Sequence, residues 1–189
     1  MPPFGRKLRL DGAACLHEHS RVVRWVPNDY LMGMTEAAQV FAGIKSDFEI
    51  LEDWEDRYRH IIELGKALPA FDERYRDAAH KVSGCASQVW IHFDRAPSPE
   101  GARLDLTGDS DALIVKGLMA ILFALFSGRT AREIASFDAL AALAELDLSS
   151  HLTQQRSNGL ASMVARIKAE ARAVLAEQSP AGNQPAPSA

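Results

Sequence analysis

The sequence predicts an α+β domain, a small antiparallel sheet of about three strands covered by helices. Two observations carry this. Apolar residues recur at helical spacing before residue 80 and again after residue 110. Between these regions, two short alternating runs flank Pro97-Ser98-Pro99-Glu100-Gly101, which has the composition of a hairpin loop. Strands joined by a hairpin are antiparallel, and strands grouped between runs of helices give α+β architecture.

The elements follow in order. Residues 1–33 hold no sustained period and are punctuated by Pro2, Pro3, Gly5, Gly12, Pro27 and Gly33. They read as an N-terminal extension without stable structure, or as residues ahead of a true start at Met32 or Met34. Asp11, Glu18 and Asp29 among the basic residues count against a transit peptide. The domain is expected over residues 34–177. A first helix starts near Thr35, with Val40, Phe41, Ile44 and Phe48 on one face. Asp53 is a good N-cap for a second, whose apolar face is Trp54, Tyr58, Ile61, Ile62 and Leu68, with Pro69 after its end. A turn or short helix covers residues 71–79. Strands are expected at 87–94 and 103–107, and residues 80–83 can add a short third.

Thr107-Gly108-Asp109-Ser110-Asp111 is expected to turn the chain into the most apolar helix, 111–126. Ser110 or Asp109 would cap it, Asp111 would suit its positive end, and Lys116 is its one charge. Thr130-Ala131-Arg132-Glu133 has the spacing of a capping box and opens a short helix. A further helix covers 138–146 and a polar connection 149–157. The last helix, 158–177, places Leu160, Met163, Val164, Ile167, Ala171 and Val174 on one face. Residues 178–189 are rich in Pro, Ala, Ser and Gly and are expected to be a disordered tail.

Composition excludes several classes. The 189 residues are 47% hydrophobic and carry a formal net charge of -4, so no nucleic-acid partner is expected. The two cysteines, Cys15 and Cys85, make no disulfide framework, and a cytoplasmic location is the natural expectation. Residues 1–33 lack the apolar core of a secretory signal. The longest apolar run, 112–126, contains Lys116 and falls short of the roughly 20 residues of a spanning helix, so no membrane role is expected.

The chemistry centres on Cys85, between Gly84 and a strand that alternates Val89, Ile91 and Phe93 with Gln88, Trp90 and His92. Gly84 permits a sharp turn before the sulfur. The thiolate is the reactive form, and Lys81, His80 and Arg156 are the candidate cations beside it. Cysteine is also among the most buried residue types, and on spacing alone a structural thiol is the stronger reading. Cys15-Leu16-His17-Glu18-His19 has no second ligand pair, so no metal is expected. His60 reads as solvated on a helix face and His151 as a helix-end cap. Trp54 and Trp90 read as core or rim residues. Gly108-Asp109-Ser110-Asp111 lacks the phosphate-loop pattern, and its carboxylates would repel phosphate, so no nucleotide or other cofactor is expected.

Four separated blocks together carry a resemblance. They are Tyr58-Arg59-His60-Ile61-Ile62-Glu63-Leu64-Gly65-Lys66, Ser83-Gly84-Cys85-Ala86-Ser87-Gln88-Val89-Trp90-Ile91, Gly108-Asp109-Ser110-Asp111-Ala112 with Ile114-Val115-Lys116-Gly117-Leu118 after it, and His151-Leu152-Thr153-Gln154-Gln155-Arg156-Ser157-Asn158-Gly159-Leu160. In order and spacing over about residues 35–175 they resemble the SufE family, the sulfur acceptors of cysteine desulfurases.

The resemblance implies a SufE/IscU-like fold and a sulfur carrier without turnover of its own. Cys85 would accept persulfide sulfur from a SufS-type cysteine desulfurase, stimulate that enzyme, and pass the sulfur to a SufBCD-type scaffold for iron–sulfur cluster assembly. Gly84 would be a hinge, Gln88 and Trp90 anchors, and Asp111 and Arg156 the charged positions for partner contact or loop control. A monomer and a homodimer both fit. Ala86 stands where many relatives carry glutamine, and Phe93-Asp94-Arg95-Ala96 is unlike them. This leaves open a CsdE-like acceptor serving a different desulfurase. An IscU-type scaffold needs several cysteine-class ligands, which one credible thiol does not supply. A stand-alone cysteine hydrolase would need a histidine base beside Cys85.

Overall fold

A computed structural model describes residues 36–178. The expectations for residues 1–33 and the tail beyond Gln178 lie outside the described residues. The chain runs through α1 (Glu36–Ile50), α2 (Trp54–Lys66), a 3-10 turn (Glu73–Tyr75), β1 (Val89–Ala96), β2 (Arg103–Ser110), α3 (Leu113–Phe126), β3 (Arg129–Thr130), α4 (Ala131–Ser136), α5 (Ala139–Ala144), a second 3-10 turn (Leu148–Ser150) and α6 (Gln154–Gln178). The fold is α+β, with a three-stranded antiparallel sheet in the order β1-β2-β3.

Local signals hold where the side chain makes the bond the spacing implied. Asp53 accepts the Glu55 N–H at the start of α2. Thr130 and Glu133 form the reciprocal capping box of α4. Helix α3 is the centre of the core. It packs against α1, α2, β2 and α6, and residues 117–119 and 121–126 are buried. Burial of such side chains is the main driving force for the fold. At the crossing of α2 and α3, a Cβ on Gly117 would lie 2.0 Å from the Ile61 carbonyl oxygen, so only glycine lets the helices approach this closely.

The register divides the sheet residues by face. Val89, Ile91 and Phe93 pair with Ser110, Gly108 and Leu106 on the helix-covered face. Arg95, on the same face, donates to Glu170 and Glu177 of α6 at 2.9 and 2.6 Å. Trp90, His92 and Asp94 point the other way. There Arg76 lies 5.2 Å from the Trp90 ring and Tyr75 stacks on His92.

Several boundaries differ from expectation. Strand β2 continues through Ser110, so Gly108 and Asp109 are strand residues and not a turn. Gly108 is small because α3 crosses it: a Cβ there would sit 2.6 Å from the Trp90 carbonyl oxygen and 2.8 Å from Met119 Sδ. The N-cap of α3 is Ala112, with no side-chain cap. Asp109 instead lies between Arg76 and Lys116, and Lys116 Nζ is 2.7 Å from Asp109 Oδ1. Residues 80–83 form only the isolated Lys81↔Trp90 bridge, and the third strand is Arg129–Thr130. Helix α6 begins at Gln154, inside the expected polar connection. Its Arg156 N–H lies 3.4 Å from the Thr153 hydroxyl that accepts it. His60 is half-buried with its ring edge-on to Phe48 at 6.0 Å.

Candidate functional site

Cys85 sits in the loop 83–88, whose ends are tied to the core. At its base the Val82 N–H donates to the Val89 carbonyl at 2.9 Å, and both valines are buried. A second tie joins the loop to the entrance of α3. The Gln88 N–H donates to Asp111 Oδ1 at 3.0 Å, and the Asp111 N–H donates back to the Gln88 carbonyl at 3.3 Å. Gly84 has φ of +88°, a conformation that costs a residue with a Cβ about 1–2 kcal/mol. A Cβ there would also lie 2.6 Å from Ser162 Oγ on α6.

This backbone turns the thiol inward. Cys85 Sγ lies 3.5 Å from the Gly159 carbonyl oxygen, to which its S–H donates. The thiol is half-buried in a pocket of about 360 Å³ between the loop and the starts of α3 and α6. Ile114, Val115, Leu118, Leu160 and Met163 form its apolar lining. Burial pushes the Cys85 pKa up, so the resting sulfur is a protonated thiol. A groove of about 590 Å³ between α1, α2, α3 and β2 is larger, but no thiol or histidine lines it.

Of the candidate cations, only Arg156 lines the pocket. Its Nη1 donates to Tyr58 Oη at 2.6 Å, and its guanidinium carbon is 5.6 Å from the Tyr58 ring centroid. The guanidinium is therefore held at the rim by α2. That rim continues through Trp54, edge-on to Tyr58 at 6.5 Å and stacked on His151 at 3.7 Å. His151 thus packs its ring on Trp54, while its backbone N–H closes the 3-10 turn onto Leu148. His80 and Lys81 do not line the pocket. His80 points to Asp77 and His92, and Lys81 is bridged to Trp90.

The structure brings together Gly84, Cys85, Gln88, Asp111 and Arg156. Gln88 acts through its backbone, and its side chain is exposed. Trp90 stands on the opposite face of β1, under Arg76, and does not reach the sulfur pocket. Gly159, Ser162 and Tyr58 touch the loop or its arginine and were not singled out as site residues from the sequence. Gly159 lies within one of the matching blocks, but its role needs α6 laid beside the loop.

Residues 42–171 match the family model described as SufE, Fe-S metabolism associated domain. The chain belongs to the SufE family. An uncharacterised SufE-like protein of Rhizobium etli is 52% identical over 129 residues, covering 68% of this chain and 87% of that protein. A second uncharacterised SufE-like protein, from Rhizobium meliloti, is 50% identical over 132 residues, covering 70% of this chain and 94% of its own. The solution structure of a hypothetical protein from Thermus thermophilus shares the fold, with a TM-score of 0.56 at 19% identity, covering 74% of this chain and 96% of its own. As a SufE-family member the protein is assigned to iron–sulfur metabolism. Among the described residues no helix is long and apolar enough to cross a membrane.

Proposed function

We propose that this SufE-family protein is a sulfur acceptor and carrier that uses Cys85. The observation that carries the reading is the tied loop that turns Cys85 into the apolar pocket in a SufE-family chain. In the reaction, the Cys85 thiolate attacks the outer sulfur of a persulfide on a cysteine desulfurase. A new S–S bond forms at Cys85 as the old one breaks, and the electron pair leaves with the desulfurase thiolate. No net oxidation or reduction occurs, and the product is a Cys85 persulfide. The resting pocket would shelter that persulfide from solvent reductants.

The raised thiol pKa makes resting Cys85 a poor nucleophile. Swinging the loop into water would restore thiolate, so docking would activate the sulfur as well as expose it. Gly84 and the Gln88–Asp111 tie are the parts that would give way. Arg156, within the pocket rim, would face the anionic persulfide or the partner. Trp90 would anchor the strand behind. The proposed donor is a SufS-type desulfurase, which the carrier would stimulate, and the proposed recipient is a SufBCD-type scaffold in the cytoplasm. A CsdE-like pairing and a homodimer are the alternatives the same test resolves.

The protein is incubated with SufS-type or CsdE-type cognate desulfurases and cysteine, and intact mass is measured without reductant. A gain of whole sulfur atoms that disappears in Cys85→Ser is expected. Native mass spectrometry of the same samples reports the oligomeric state. No gain with any desulfurase, or an equal gain in Cys85→Ser, would sink the carrier reading.

A further inference from the structure

A second cluster of reactive side chains lies on the face of β1 turned away from the sulfur pocket. It joins His80, in the segment entering the Cys85 loop, to His92 of β1. His80 Nδ1 lies 2.8 Å from Asp77 Oδ1. That carboxylate also accepts the Ala79 and His80 backbone N–H groups at 2.9 and 3.0 Å, which fixes its position. Nδ1 is thus the nitrogen of His80 engaged by a carboxylate, and Nε2 is the one left free of it. His92 Nε2 lies 3.2 Å from Asp94 Oδ1, so in this ring it is Nε2 that a carboxylate engages.

The two remaining nitrogens, His80 Nε2 and His92 Nδ1, face each other at 3.2 Å. Each of these nitrogens can offer its ring lone pair to a single centre between them. A tetrahedral zinc with Zn–N bonds of about 2.0–2.1 Å holds two imidazole nitrogens roughly 3.3 Å apart. A carboxylate on the far nitrogen of each ring is the arrangement that orients metal-bound histidines. His92 is further held flat on Tyr75, at 3.6 Å and 9°. The His92 and His80 side chains are 15% and 23% exposed, so water can reach the remaining coordination positions. Asp77 and Asp94 balance the charge of a dication, while Arg74, over the Tyr75 ring, is paired with Asp72.

We propose that His80 Nε2 and His92 Nδ1 bind a divalent transition-metal ion of the zinc class. No group of three or more His, Cys, Asp or Glu residues forms a metal site among the described residues. Water or an exogenous ligand therefore fills the other positions. Bound metal ties the entry of the Cys85 loop to β1, beside the backbone bond from the Ile91 N–H to the His80 carbonyl.

The test uses the full-length Cys85→Ser protein, so that this thiol does not compete for the ion. Zinc chloride is titrated in while the histidine ring signals are followed by NMR. The His80 and His92 signals should move together and saturate at micromolar zinc, with those of His60 and His151 unmoved. His80→Gln and His92→Gln should each abolish that transition, and Asp77→Asn should weaken it about tenfold. The backbone amide spectrum reports whether each variant is folded, and Asp77→Asn leaves both proposed ligands in place. Ring signals that stay fixed up to millimolar zinc would overturn the proposal and leave a shared proton between the rings. Wild-type affinity in His92→Gln would also overturn it, by placing the ion elsewhere, for example on Cys15, His17 and His19.

Discussion

Cys85 is both a partly buried thiol and the one chemically exceptional residue of its loop. The two descriptions meet in one geometry, because the apolar pocket that raises the thiol pKa would, on the proposed function, also shelter the persulfide. Iodoacetamide should therefore label Cys85 slowly in the free protein, with a pH midpoint above the ordinary thiol value of about 8.5. Addition of the desulfurase should speed labelling, and an ordinary midpoint in the free protein would contradict the sheltered state. Asp111→Ala removes the acceptor of the Gln88 N–H and should speed labelling several-fold at a cost of about 1 kcal/mol in stability. Gly84→Ala forces a Cβ into the left-handed region and against Ser162. It should lower the urea-derived stability by about 1–2 kcal/mol. Gly84 was legible as a turn before the sulfur, whereas Ser162 was not, because only the packed helix α6 brings it there.

At the scale of elements, α3 organises the molecule, and its Gly117, with Gly65 of α2 and Gly108 of β2 facing it, decides how closely its neighbours approach. Gly117→Ala would drive a methyl group into the Ile61 carbonyl and should cost about 3 kcal/mol, read from the shift of the denaturation midpoint. The helices and two main strands were legible because their apolar periods and caps are local. Asp53 and the Thr130–Glu133 box cap the helices their spacing announced. The stretch 107–111 has the composition of a turn, yet it is strand through Ser110. Gly, Asp and Ser usually punctuate loops, but here Gly108 answers to the helix crossing it and Asp109 to Arg76 and Lys116. Both reasons are long-range, so local composition cannot reveal them.

For the whole molecule, pH couples to stability through groups shifted in opposite directions. Burial would raise Asp109, but Lys116, the Ser110 N–H and Arg76 outweigh it and lower its pKa. The Thr130 hydroxyl and N–H lower that of Glu133. These carboxylates contribute stability above their unfolded values of about 4, and that contribution is lost as pH falls through their lowered folded values. Cys85 works the other way, with its contribution present below the ordinary thiol pKa and lost as pH rises through the raised one. Urea midpoints measured against pH should therefore decline at both ends. Asp109→Asn should flatten the acid limb and Cys85→Ser the alkaline limb. An unchanged acid limb in Asp109→Asn would show that the Arg76–Asp109–Lys116 cluster is not a source of the acid sensitivity.

The sequence by itself determined the fold class, most helices, the hairpin and the position of the single credible thiol. Each follows from periods, caps and turn residues that act within a few positions of one another. It also carried the blocks by which the family could be named. Only the tertiary structure decided which way the thiol faces and which cation stands near it. It showed that Asp111 holds the loop through the Gln88 backbone, and it set His80 against His92. Packing around α3 and α6 brings Asp111, Arg156 and Gly159 to the loop, whereas the bridge between Lys81 and Trp90 sets His80 beside His92. Cys85 could be found from its neighbours in sequence, but its sheltered state depends on Gly159 and the pocket across from it.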